Sequence, residues 1–343
     1  MLRILHDTNF DFIKWWRWAA GVTAAFILAG LASFAIRGGV NYSIEFTGGT
    51  LMQLQFTKSQ DAGRIRSTLD RAGVTGAEIQ QFGSDSEFTV RAQDKRDVAQ
   101  QASGAEGVSQ RIEGALTKEF GADAYKVMRR EAVGPRVGAE LRRNAGIAML
   151  LASLVTLVYL AIRFEWRFGV AAVLSTAHDV LVTLAFIKLL HIEVSLTIVA
   201  AILTLLGYSG NDTIIIFDRV RENLKKDRKS PLYDVLNRSI NETLPRSVLT
   251  HATTLAATLA LLFFAGEVLR PFAIVMAFGI FVATFSSIYV ASPLLLWIEH
   301  KWPRSVSSDK ASGKATVRAS RTAELPAGER TPRPRPTEGA ATR

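Results

Sequence analysis

The chain has 343 residues, 48 % of them hydrophobic, a formal net charge of +10 and no cysteine. Without cysteine there are no disulfides, no thiol catalysis and no cysteine-ligated metal; five scattered histidines offer no His-rich metal site, so neither metal nor cofactor is expected. The positive charge does not describe a nucleic-acid surface. Residues 303–343 hold nine Lys/Arg against four Asp/Glu, half of the excess, most of the rest flanks apolar blocks, and no basic patch is interleaved with stacking aromatics.

About 20 apolar residues cross a bilayer, and six blocks approach or exceed that length: residues 18–36, 145–162, 168–189, 194–217, 248–265 and 272–298. The lead into the first, Lys14-Trp15-Trp16-Arg17-Trp18, has the composition of an interfacial anchor. Ser33-Phe34-Ala35 is a passable cleavage site, but the long charged lead and the full apolar length favour an uncleaved span. Eight Lys/Arg lie between residues 218 and 246, and Arg163 and Arg167 flank the link between the second and third blocks. By the positive-inside rule, residues 1–17, these connections and the C-terminus face the cytoplasm, and residues 37–143 face the periplasm. The expected fold is therefore a six-helix inner-membrane protein, with a five-helix bundle over 144–299 and a small outer domain between helices 1 and 2.

Within that domain, residues 51–57 alternate as a strand does, and residues 62–72 have helical spacing with Ile65 and Leu69 four apart. Residues 79–82 and 87–92 read as a hairpin turning at residues 83–86, residues 98–120 as a helix weakened at Gly104 and Gly107, and residues 125–128 as a last strand. The order β-α-β-β-α-β is the ferredoxin-like pattern. From Pro303 the chain is rich in Ser, Ala, Pro, Arg and Thr and is expected to be a disordered basic tail.

Ionisable groups inside a spanning helix are functional candidates by default. The third block carries His178-Asp179; the fourth carries Gly207-Tyr208-Ser209-Gly210-Asn211-Asp212; the fifth opens at Arg246 and continues with Thr250, His251, Thr253, Thr254 and Thr258. At 100° per residue, Arg246, Thr250, Thr253 and Ala257 form one stripe, which is expected to face the bundle interior or a thin file of water. The alternative is that the threonines bond their own backbone or a neighbouring helix. Burial favours the neutral form of Asp212, and a nearby Arg would favour the charged one, so the pair Asp212–Arg246 is a candidate two-state switch. Gly207 and Gly210 are expected to admit a close neighbouring helix or a bend. Asp179 and Asp212 could also be an aspartyl-protease dyad, but Ser209-Gly210-Asn211-Asp212 lacks the expected Gly-x-Gly-Asp pattern.

Several segments resemble the SecD/SecF family of the resistance-nodulation-division superfamily. Ile44-Glu45-Phe46-Thr47-Gly48-Gly49-Thr50 is similar to its GG segment, and Val133-Gly134-Pro135-Arg136-Val137-Gly138-Ala139-Glu140-Leu141 to the entry of its second helix. Residues 207–223 (GYSGNDTIIIFDRVREN) resemble its fourth-helix signature, residues 249–270 its fifth helix and residues 291–297 (ASPLLLW) the end of its sixth. Glu45 stands where the family usually has Asp, Gly210 where it has a β-branched residue, and Pro245 and His251 where it has Ser. The resemblance implies a SecF-type subunit that pairs with SecD beside the SecYEG channel, with YajC and YidC as further candidate partners. It implies no hydrolytic chemistry: the proton-motive force would complete preprotein translocation, with Asp212 and Arg246 at the positions the family uses for proton coupling and Asn211 among their polar neighbours. An efflux or lipid transporter of the same superfamily would usually carry two six-helix halves, and a passive assembly scaffold would need neither residue to titrate.

Overall fold

In the computed structural model, residues 8–81, 84–92, 104–227, 229–266 and 268–303 are described. Six helices among them are long and apolar enough to cross a membrane. The first, α1 (Trp16–Arg37), ends at Gly38, and a short turn of helix, α2 (Ile44–Thr47), follows. Then come β1 (Gly49–Phe56), α3 (Ala62–Arg71), β2 (Glu78–Gln81), β3 (Glu87–Ala92), α4 (Gly104–Phe120) and β4 (Tyr125–Val133). The sheet is antiparallel in the order β2-β3-β1-β4, which is the ferredoxin-like topology.

Period-two patterning puts one face of the sheet in a core. Met52, Leu54 and Phe56 of β1 and Phe88 and Val90 of β3 meet Ile65 and Leu69 of α3 and Ile112 and Leu116 of α4. The last strand runs five residues beyond the expected 125–128, because β1 offers a paired edge as far as Gly49↔Val133. Residues 82–83 of the expected hairpin, residues 98–103 of the expected helix and the tail from residue 304 lie outside the described residues.

The remaining helices are α5 (Pro135–Arg163), α6 (Trp166–Leu189), α7 (Leu196–Lys226), α8 (Leu232–Phe264) and α9 (Arg270–Ser286), continued by a π-helical turn (Ser287–Ala291) and α10 (Ser292–Lys301). Most outrun their apolar blocks, since hydropathy marks only what is apolar while backbone hydrogen bonding carries a helix beyond it. α5 starts ten residues before its block, with Pro135 in its first turn, where a missing N–H costs nothing. α8 starts sixteen residues before its block and runs through Pro245, so the proline does not set the start of this helix.

α6, α7 and α9 form the buried centre, whereas α1, α5 and α8 are mostly exposed. Two apolar layers fill the bundle. One gathers Phe168, Phe217, Val220, Leu236, Ile240 and Leu295; the other gathers Ile187, Ile198, Ile202, Leu205, Val275 and Ile280. Along α6, α7 and α9 the positions between these layers are polar.

Candidate functional site: a buried carboxylate belt and its link to the outer domain

Asp212 lies on the buried face of α7 with 4 % exposure. Its Oδ1 accepts from Ser247 Oγ of α8 at 2.5 Å and its Oδ2 from Ser287 Oγ of the π turn at 2.6 Å. One turn back on α7, Ser209 donates instead to Asp179 of α6, which also accepts from Ser286 Oγ of α9 at 2.6 Å. The adjacent serines 286 and 287 thus serve carboxylates on two different helices, as side chains 100° apart on a helix can.

A histidine closes each end of this belt. His178 Nδ1 meets Asp179 Oδ1 at 3.0 Å, and His251 Nδ1 meets the Ser247 carbonyl at 2.6 Å. A carbonyl and an ionised carboxylate only accept, so in the neutral rings Nδ1 carries the hydrogen and Nε2 is left bare. Both Nε2 atoms are buried without a hydrogen-bond partner among the described residues.

Arg246 does not join the belt. It is exposed on α8, and among the described residues it makes no ion pair with Asp212. The expected stripe is corrected by about one residue, or 100°: Ser247, His251 and Thr258 are the buried polar groups of this stretch of α8, while Arg246, Thr253 and Ala257 are exposed. Thr253 and Thr254 bond carbonyls of their own helix, which is the packing alternative, and Thr250 is half-buried. Asn211 is exposed too. A Cβ on Gly207 or Gly210 would meet nothing within 4 Å, so neither admits a close helix; that role falls to Gly279, against Leu205. Ser209, Ser247, Ser286 and Ser287 were not anticipated as the partners of the carboxylates. A signal was present in the Ser286-Ser287 pair inside an apolar block and in the i, i+3 spacing of Ser209 and Asp212.

The segment carrying Glu45, Phe46, Gly48 and Gly49 is docked on the start of α7. Ser43 N–H donates to the Val194 carbonyl at 3.0 Å and Val194 N–H to the Asn41 carbonyl at 2.7 Å. Glu45 Oε2 accepts from the Leu196 N–H, the first of α7, at 2.6 Å, where a helix N-terminus favours negative charge. Gly48 (φ 73°, ψ 161°) is in a region that essentially only glycine enters, and Gly49 also has positive φ. The motif around Gly134 and Pro135 packs on the same segment: a Cβ on Gly138 would lie 2.9 Å from Gly48 N and 3.2 Å from Phe46 C and O. A second tie is the ion pair of Arg91 on β3 with Glu193.

The family model described as protein export membrane protein SecD/SecF, C-terminal, matches residues 113–301, more than half of the chain, and the SecD/SecF GG motif matches residues 33–60. The chain belongs to the SecD/SecF family. Among its relatives, protein translocase subunit SecF of Gemmatimonas aurantiaca is 66 % identical over 93 % of this chain and 95 % of the relative. The SecF of Vibrio alginolyticus is 39 % identical over 91 % and 98 %, and that of Escherichia coli O157:H7 is 37 % identical over 88 % and 93 %. Among solved structures, SecDF of Thermus thermophilus, a translocon-associated membrane protein, superposes with a TM-score of 0.76 at 38 % identity. It is covered to 40 % of its length by 88 % of this chain. A super-membrane-facing form of SecDF gives 0.62, again over 40 % of its length. Membership in the SecD/SecF family makes the chain a multi-pass inner-membrane transport component of Sec protein export. Its GG motif is the segment docked on α7.

Proposed function

We propose that the chain is the SecF-type half of a proton-driven export complex, and that Asp212 is the group whose protonation drives it. The observation that carries the reading is a nearly fully buried carboxylate held by serines of two other helices, with no cation paired to it among the described residues. Ionised, Asp212 accepts from both Ser247 and Ser287. Protonated, its O–H donates to the oxygen of one serine, whose own hydrogen must then turn to another acceptor; Ser287 has one ready, the Thr284 carbonyl at 3.0 Å. The contacts among α7, α8 and α9 then differ between the two states. α7 transmits that difference: Leu196, held by Glu45, lies about 24 Å from Asp212 at 1.5 Å per residue, and the sheet is tied to the same end of α7 through Arg91–Glu193.

The exposed polar groups Arg246 and Asn211 cannot face lipid cheaply, and they support a membrane partner on that side. The T. thermophilus protein is named SecDF, is translocon-associated and extends well beyond the 40 % of its length that this chain covers, so we assign this surface to a SecD subunit, beside the SecYEG channel. The basic connections support an orientation with the chain ends in the cytoplasm and the sheet domain outside, where it would hold an emerging preprotein. The test is preprotein export into inverted membrane vesicles with and without a proton gradient, comparing wild type with Asp212→Asn. Loss of the gradient-dependent part, with the ATP-dependent part retained, is expected; an equal response to the gradient would favour a passive scaffold.

A further inference from the structure

The belt contains a second carboxylate that the proposed mechanism does not use. We propose that Asp179 is a second proton-binding group, coupled to Asp212 through Ser286 and Ser287, so that the two carboxylates do not take up protons independently. The inference rests on the reading of Asp212 given above.

Three observations carry it. Asp179 is 6 % exposed and is matched to Asp212 in construction: each accepts from one serine at the α9–π-turn junction and from one on another helix. Each junction serine also has a carbonyl of its own helix within reach, Ala283 O at 3.2 Å for Ser286 and Thr284 O at 3.0 Å for Ser287. A hydroxyl has one proton to donate, so it can serve either the carboxylate or the carbonyl. When Asp212 is neutral and Ser287 turns to Thr284, the backbone that positions Ser286 is the same turn of helix. π turns inside helices recur at functional sites. The third observation is His178. Its Nδ1 is committed to Asp179, its Nε2 is buried and bare, and the residue lines a groove of about 800 Å³ together with Trp16, Ile27, Tyr289, Trp297 and His300. His178 is therefore the ring through which Asp179 would exchange its proton, while His251 stands at the Asp212 end.

The electrical surroundings are sparse. His178 is the titratable neighbour of Asp179 on α6; α7 contributes Ser209, Tyr208, whose ring meets His251 at 5.4 Å, and, one turn on, Asp212. α8 contributes His251 through Ser247 and, beside Ser247, the exposed Arg246; α9 brings only Arg270, at its far end, and the π turn Tyr289. α1 carries Arg17 and Arg37, α5 carries Arg136, Glu140, Arg142, Arg143 and Arg163, and α10 carries Glu299, His300 and Lys301, all toward their ends. Among the described residues no Lys or Arg pairs with either carboxylate, and His178 is the ion-pair partner of Asp179.

The experiment is infrared difference spectroscopy across a pH titration of the complex with its SecD-type partner in lipid bilayers, reading the carbonyl stretch of protonated carboxyl groups. Wild type should show a band that Asp179→Asn deletes, and Asp212→Asn should shift the midpoint of that band by about one pH unit, the scale at which two sites titrate as a pair. Ser286→Ala, which removes a hydroxyl without altering either carboxylate, should move both midpoints. No band lost in Asp179→Asn, or a midpoint unmoved in Asp212→Asn, overturns the proposal. Binding of the partner by each variant shows that it is folded. If gradient-driven export survives Asp212→Asn, the motor reading fails, while the band still reports directly whether Asp179 titrates.

Discussion

Replacing Glu45 tests whether the GG segment and α7 move as one body. Glu45 Oε2 takes the Leu196 N–H at 2.6 Å, one of the orphan donors at a helix start. A hydrogen bond to a charged group contributes about 1.5–3 kcal/mol, and the helix dipole adds about 0.3–1 kcal/mol. Glu45 is half-exposed, which places the sum toward the low end, at about 2 kcal/mol for Glu45→Ala. Glu45→Gln keeps an acceptor and loses the charge, for about 1 kcal/mol. The assay is hydrogen exchange of the Leu196 amide in lipid nanodiscs, where protection reads the local opening equilibrium. At 1.4 kcal/mol per decade, protection should fall about thirty-fold in Glu45→Ala and about fivefold in Glu45→Gln. Unchanged protection in both would refute the reasoning: the backbone bonds of Ser43 and Val194 would then hold the junction alone, and Glu45 would transmit nothing.

Gly138→Ala should cost about 1–3 kcal/mol by overpacking, because its Cβ meets backbone atoms of Phe46 and Gly48 that cannot swing aside; a thermal melt in detergent with no loss would show that the two motifs do not pack. Gly48→Ala, forced into a glycine-only region, should cost a similar amount, about 1–3 kcal/mol, in the same melt. Arg246→Ala should leave the melt of the isolated chain unchanged and weaken capture of a SecD partner, with Arg246→Lys partly restoring it; equal capture by all three forms would remove Arg246 from the interface. The N-terminal segment should loosen in acid. Hydrogen bonds from the Tyr233 hydroxyl first, then from the Lys14 backbone and the Asn237 amide, hold the Asp11 carboxyl below its ordinary range. Its contribution is therefore present above the unfolded value of about 3.9 and is lost as pH falls through the lower folded value. Tyr233→Phe should shrink the acid-dependent change in tryptophan fluorescence; an equal change in both forms would discharge Asp11 from that role.

Much of the architecture was legible from residue order because the bilayer imposes a length and a polarity on each span. Six apolar blocks, the alternation in β1 and β3 and the spacing of Ile65 and Leu69 each follow from a local rule, and Asp179 and Asp212 announced themselves as charges where none should be. The motifs at Glu45–Gly49 and Gly134–Gly138 were legible only as a resemblance, and their physical reason, a glycine-only backbone and a close approach of two segments, needed the fold. Which face of α8 is buried could not be had from periodicity. Arg246, Thr250 and Thr253 make as coherent a stripe as Ser247, His251 and Thr258, and only the position of α7 and α9 selects between them. The pairing of Ser286 with Asp179 and of Ser287 with Asp212 is likewise tertiary: a carboxylate on one helix finds its donors through contacts between residues 30 to 107 positions apart. Local chemistry named the charges and the spans; packing decided which hydroxyls meet which carboxylate.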